Sequence, residues 1–246
     1  MDLLLPADKY VFLREKYDYN SPNCKFVIEK TDGLDIWGEF EGIFAKRVPY
    51  SYPKGINLRM FEKIVQEIFK DCDYAFNNNS FTKAHEENLK QVSTAIVYWK
   101  MASQGGRAKL KVKNLLTKWN DDTKIQLLKA YEQKDMALFR IGGVRIPIAT
   151  AFIRFLFPDE FGIMDSRVVG RYTQPKGITT LSLRSDGYIN DTKQNVVKYN
   201  KEYIAFLRKE VELLNNLKIT YKDIDTQGNE IISEFRVCDI EMALFV

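Results

Sequence analysis

Two small groups of residues in this chain have the types and spacing to do chemistry. The first is the turn Ile141-Gly142-Gly143-Val144-Arg145, whose glycines let the backbone bend tightly and come close to another molecule. Pro147 follows, a residue suited to the first turn of a helix. Ile148, Ala149, Ala151, Phe152 and Phe155 are then spaced to bury one face of that helix. Backbone N–H groups at a turn leading into a helix make an anion site, suited to phosphate. The second group is a single acid, Asp165, at the end of the short extended run Phe161-Gly162-Ile163-Met164, where it can N-cap the next helix. The neighbouring acids Asp159 and Glu160 follow Pro158 at a helix end, a place that solvent reaches. A phosphate cradle with one carboxylate placed beside it by an apolar helix is the equipment of a DNA-processing site.

Positive charge accumulates upstream of the turn. Between Gln104 and Lys118 the chain carries Arg107, Lys109, Lys111, Lys113 and Lys118 and no acid. Lysines at alternate positions line one face of a strand or splay round a helix. Either arrangement can follow a phosphate backbone, each contact adding a salt-dependent increment of affinity. A solvated charged face is the alternative; the position just before the glycine turn favours nucleic acid. The surroundings of Asp165 are basic too. From Gly162 to Ser185 it is accompanied by Arg167, Arg171, Lys176 and Arg184 and by no other acid, a setting that favours the charged carboxylate.

Together the two groups resemble the helix-hairpin-helix DNA glycosylase superfamily. Ile141-Gly142-Gly143-Val144-Arg145 is similar to its hairpin, with Ile148-Ala149 in the places of a Thr-Ala pair. Phe161-Gly162-Ile163-Met164-Asp165-Ser166-Arg167-Val168 is similar to its aspartate element, and the two halves stand at the family's separation. The resemblance implies a mainly α, helix-hairpin-helix DNA glycosylase-like fold. It implies hydrolysis of the N-glycosidic bond of a flipped-out damaged or modified base, a modified phage base included, leaving an abasic site. Asp165 would be the catalytic residue, and Gly142, Gly143, Val144 and Arg145 the hairpin that holds DNA. Lys109, Lys111, Lys113, Arg167 and Arg171 are the further expected DNA contacts. Double-stranded DNA is the expected partner of a monomer, with no cofactor and no metal.

The chain departs from the family pattern at two positions. Pro147 stands where the bifunctional glycosylase/lyase members carry a Schiff-base lysine. A proline cannot form an imine, so a monofunctional enzyme is expected. Arg145 replaces the second hairpin glycine; a positive φ there would strain it by about 1 kcal/mol, while its guanidinium can add a phosphate contact. The alternative function is a non-catalytic helix-hairpin-helix DNA-binding protein. In an enzyme Asp165 faces a cleft lined with aromatics; in a binding module it is covered or absorbed into capping. An enzyme cutting the DNA backbone is a third option, but no cluster of metal-binding carboxylates stands out.

The elements that must position these residues follow from the rest of the chain. Its 246 residues can hold one large domain or two small ones. A net charge of only +4 means that any nucleic-acid face arises by local clustering. Cys24, Cys72 and Cys238 lie far apart, which fits reduced thiols in a reducing compartment; three cysteines also exclude the four-cysteine iron–sulfur loop of some glycosylases. With no apolar run near membrane-spanning length and no signal-peptide pattern, a cytoplasmic, non-membrane protein is expected. Residues 1–53 read as a β/irregular region, with a hairpin of Lys25–Glu29 and Ile36–Phe40 and an extended linker at Val48-Pro49 and Tyr52-Pro53. Its dense aromatics are accounted for by packing, with stacking on extruded bases as the alternative.

Residues 54–246 read as the helical domain, with the hairpin motif over 135–157 and the aspartate loop over 158–172. Asn57 caps an amphipathic helix, and a second long helix runs to Met101 past His85, the single histidine, read as a surface residue. Asp121 or Asp122 caps the next helix, and Asp135 caps a short one over 136–141 that is the first of the hairpin pair. Helix follows over 195–217. Residues 219–224 and 231–237 can pair as a C-terminal hairpin, and Asp239 caps a last turn over 240–245.

Overall fold

The computed structural model describes residues 2–17, 57–101 and 106–246, apart from the side chains of residues 106, 108 and 109. The expected hairpin at 25–40, the linker at 48–53 and Cys24 lie outside the described residues, and so does the side chain of Lys109. In chain order the elements are α1 (Ala7–Lys16), α2 (Leu58–Asn77), α3 (Lys83–Met101), α4 (Gly106–Thr117), α5 (Asp121–Gln133) and a 3₁₀ turn (Met136–Phe139). Then come α6 (Ile146–Leu156) and α7 (Ser166–Val168, continued as a π turn over Val169–Thr173). α8 runs through Lys193–Lys198, Tyr199–Ile204 and Ala205–Asn216, π-wound in the middle. β1 (Thr220–Ile224), β2 (Glu230–Glu234) and α9 (Val237–Phe245) complete the chain. The described chain is mainly helical. Among its residues no helix is long and apolar enough to cross a membrane. Two compact units divide it: residues 2–17, 145–224 and 230–246 form one, and residues 57–144 and 225–229 the other.

The unit built on 57–144 is a stack of amphipathic helices. The Asn57 side chain accepts the Met60 amide at 2.8 Å, and Leu58, Phe61, Ile64, Val65, Ile68, Phe69 and Cys72 are all buried. That three-to-four-residue spacing lays one apolar stripe against the core. α3 packs on α2 and α4 on α3, while α5 packs on α2. Of the two arrangements open for the basic segment, the chain adopts the helix: Val112 and Leu115, three residues apart, are buried in α4. α5 is capped one residue earlier than expected, by Asn120, whose Oδ1 accepts the Thr123 amide at 2.9 Å. Asp121 is spent instead on an ion pair with Lys124. The expected short helix over 136–141 is a single 3₁₀ turn, capped by Asp135 as anticipated. Four residues before Arg140 are too few to repeat an i to i−4 bond, and the turn closes by i to i−3 bonds.

The other unit is assembled from three stretches of chain. α1 falls in a stretch without helical periodicity, because its buried positions include a charge: Tyr10, Leu13 and Arg14 are all covered. It packs on α9 and β1. The Arg14 Nε donates to Asp239 Oδ1 at 2.9 Å, one Nη lies 3.3 Å from Asp223 Oδ1, and the guanidinium sits 4.6 Å over the Tyr221 ring. α6 is buried nearly all round rather than on one face, Arg154 included. β1 and β2 pair antiparallel from Thr220↔Glu234 to Ile224↔Glu230, the expected hairpin, with its second strand ending at Glu234. α9 starts at Val237 and not at 240. Asp239 is therefore its third residue, reaching back to accept the Arg236 amide at 3.0 Å.

Candidate functional site

The glycine turn closes the unit built on 57–144. Gly142 (φ 53°) and Gly143 (φ 82°) are both left-handed, as a turn with two positive-φ central residues requires, and the Val144 amide donates to the Ile141 carbonyl at 2.6 Å. Ile141 and Val144 anchor the turn by burial, so Val144 contributes backbone and packing rather than a surface side chain. Gly143 is exposed, and among the described residues neither glycine amide has a hydrogen-bond partner. Gly142 packs closely: a Cβ there would stand 3.0 Å from Leu115 Cδ1 and 3.3 Å from Leu115 Cα. On α4 Arg107 and Lys113 are exposed and Lys111 is half-buried. Lys118, just past its end, is exposed beside the turn.

Arg145 opens the other unit as the N-cap of α6, with φ −98° in the extended region, so the expected strain there does not arise. Pro147 lies in the first turn of α6, where its missing N–H costs nothing.

Asp165 is held from behind by buried hydrogen bonds within the same unit. Thr150 of α6 accepts the Met164 amide on its Oγ1 at 3.2 Å. From α8, Tyr199 Oη donates to the Gly162 carbonyl at 2.7 Å and Tyr203 Oη to the Ile163 carbonyl at 2.9 Å. Gly162 is needed for close approach rather than for its φ: a Cβ would fall 2.7 Å from Leu207 Cδ1 and 3.1 Å from Glu241 Cβ. Burial, first of all, raises both tyrosine hydroxyls well above their ordinary pKa of 10.0; the charge of Glu241 adds to this at both, and that of Asp165 at Tyr203. They therefore remain donors. The segment that carries the acid is clamped along its length.

The acid itself caps α7, as its position predicts. Its Oδ1 accepts the Arg167 amide at 2.9 Å and lies 3.5 Å from Arg167 Nε, and the side chain is 12% exposed. The Arg167 guanidinium stacks 3.7 Å over the Phe245 ring, and Tyr17 meets that ring edge-on at 6.0 Å. Arg171 is exposed on the following turn. The structure thus brings Asp165, Arg167, Phe245 and Tyr17 together in one unit, and Gly142, Gly143, Leu115 and Lys118 together in the other. Sequence reasoning missed Thr150, Tyr199 and Tyr203 as positioning residues, because nothing local marks a tyrosine that reaches a carbonyl some forty residues away. His85, read as a surface residue, is half-buried and accepts the Thr82 amide on Nδ1 at 3.0 Å. Among the described residues no three His, Cys, Asp or Glu side chains are grouped to hold a metal ion.

No described protein family, no curated protein and no solved structure matches this chain significantly.

Proposed function

We propose that this chain is a monofunctional DNA N-glycosylase, acting as a cytoplasmic monomer on double-stranded DNA. The observation that carries the reading is Asp165: a largely shielded carboxylate at a helix start, on a segment pinned by Thr150, Tyr199 and Tyr203. In such an enzyme the target nucleotide leaves the stack. The bond from sugar C1′ to the base nitrogen then breaks, and positive charge develops on the sugar. The bond's electron pair leaves with the base nitrogen, which takes up a proton from solvent. A fixed, ionised carboxylate stabilises the sugar's charge and can orient the attacking water, whose oxygen bonds to C1′ as its proton passes to the carboxylate and on to solvent. The products are a free base and an abasic site. The left-handed Gly142-Gly143 turn, whose amides have no partner among the described residues, supports the phosphate-holding role of the hairpin.

A second reading has its own observation. The Oδ1 of Asp165 is spent on a helix cap and on Arg167, which is what a non-catalytic helix-hairpin-helix DNA-binding protein would show.

A screen of labelled duplexes, each carrying a different damaged or modified base, separates the two readings. After incubation with the protein the duplexes are heated in alkali. Strand breaks at one base type, appearing only after alkali, are the outcome expected of a monofunctional glycosylase. Binding to every duplex with no alkali-labile site on any of them supports the binding module. Borohydride trapping of a covalent adduct would contradict the part assigned to Pro147.

A further inference from the structure

We propose that Lys118 is a phosphate ligand of the glycine turn, gripping one DNA phosphodiester jointly with the Gly143 amide. The inference rests on the DNA-binding part of the function proposed above and adds a contact from outside the hairpin. Three observations carry it.

The first is placement. A Cβ on Gly143 would stand 3.8 Å from Lys118 Nζ, with no other atom of the described residues beyond its chain neighbours within 4 Å, so the ammonium lies close over the exposed glycine. This distance follows from Gly142, whose bare Cα lets the turn settle onto Leu115 in the last turn of α4, directly before Lys118. The second is rigidity of the attachment point. The Lys118 amide donates to the Leu115 carbonyl at 3.2 Å, and its own carbonyl accepts from Thr123 Oγ1 at 2.9 Å. The backbone is tied to α4 on one side and to α5 on the other.

The third is charge. Lys118 makes no ion pair among the described residues, whereas Lys124, on the adjoining helix, is held by Glu86 at 2.9 Å and by Asp121. An exposed ammonium beside an amide that, like it, has no partner among the described residues is complementary to a phosphodiester oxygen, which can accept from both. A lysine ammonium is a compact point charge with three rotatable donors, suited to a single anionic oxygen. Lys111 and Lys113 lie on the helix itself, and neither comes within 4 Å of a Cβ placed on Gly143; they supply longer-range attraction.

The test is fluorescence anisotropy of a labelled unmodified duplex over a range of salt. It compares the wild-type chain, Lys118→Ala, Lys118→Arg, Lys113→Ala, Gly143→Ala and the two double variants that join Gly143→Ala to one of the lysine-to-alanine changes, each checked for folding by circular dichroism. Lys118→Ala is expected to weaken binding about tenfold and to lower the slope of log K against log salt by about one unit, whatever the sequence. Lys118→Arg should restore most of the loss. Combined with Gly143→Ala, Lys118→Ala should cost much less than the product of the two single losses, because both act on one phosphate. Lys113→Ala should combine multiplicatively. Wild-type binding with Lys118→Ala unaffected, or combining multiplicatively with Gly143→Ala, would overturn the assignment of Lys118 and leave DNA binding standing. A wild-type chain that fails to bind duplex even at low salt would overturn the DNA reading itself, and the role of Lys118 with it.

Discussion

Asp165 answers two demands with one carboxylate. It accepts the Arg167 amide as a cap, and in the proposed reaction it must also present negative charge to a sugar. Asparagine separates the two, since its side-chain oxygen caps equally well and carries no charge. Asp165→Asn is therefore expected to lower base release at least about a hundredfold in single-turnover assays. The melting temperature and the affinity for duplex should stay close to the wild-type values. Unchanged base release would remove Asp165 from catalysis and favour the cap-only account. Arg167 bears on the same point. It is paired with the acid on one side and stacked on Phe245 on the other, so any contact it makes in the proposed complex is made from a position already fixed.

At the scale of elements, α1 depends on Arg14. Its guanidinium serves Asp239 of α9 and Asp223 of β1, two carboxylates that are almost wholly buried. Tyr10, one turn earlier, donates to the buried Glu210 of α8. The Arg14 cation thus ties a helix near the N-terminus to the hairpin and the last helix. Asp239 also accepts from Arg236 Nε at 2.9 Å, so removing Arg14 strips one cation from Asp239, which keeps Arg236, and takes the Arg14 cation from the buried Asp223, which costs more than the net worth of the pairs. Arg14→Met, similar in volume, is expected to lose about 3–5 kcal/mol in urea unfolding at neutral pH. Adding Asp223→Asn should recover part of that loss, because one stranded charge is then neutral. A loss below about 1 kcal/mol would show that water reaches these carboxylates once the arginine is gone.

Across the whole molecule, buried tyrosines are expected to set the alkaline limit of the fold. Tyr10, Tyr199 and Tyr203 all have hydroxyls raised above the ordinary 10.0, with burial the largest cause in each. Below pH 10 the folded and unfolded chains both hold these protons, and the tyrosines contribute no pH dependence. Above it the unfolded chain releases them while the folded one keeps them. Stability therefore falls as pH rises past 10, by about 1.4 kcal/mol per pH unit for each tyrosine. Urea midpoints measured from pH 7 to 11 are expected to drop steeply only above about 10, and Tyr199→Phe should flatten that drop. A midpoint that falls evenly from pH 7 would assign the alkaline limit to other groups.

What could be read along the chain was whatever depends on neighbours in sequence. The stripe of α2, the cap at Asn57, the hairpin around Asp225–Asn229 and the cap by Asp165 all arise within a few residues of one another. So do the left-handed glycines of the turn, since a tight turn with two positive-φ residues selects glycine at both. Local rules were also enough to misplace boundaries: Asn120 displaced Asp121 as a cap, and Asp239 proved to be the third residue of α9. Tertiary structure decided what no local pattern encodes. It buried Arg14 in a stretch without helical periodicity, because distant Asp223 and Asp239 compensate its charge. It enclosed α6 nearly all round, where the spacing of its apolar residues indicated one face. It pinned the approach to Asp165 with Thr150, Tyr199 and Tyr203, and it brought Lys118 over Gly143 by letting Gly142 settle on Leu115. A capping bond reports its partner within three residues. A tyrosine hydroxyl or a lysine ammonium acquires its role only when packing brings a distant carbonyl or a bare glycine within reach.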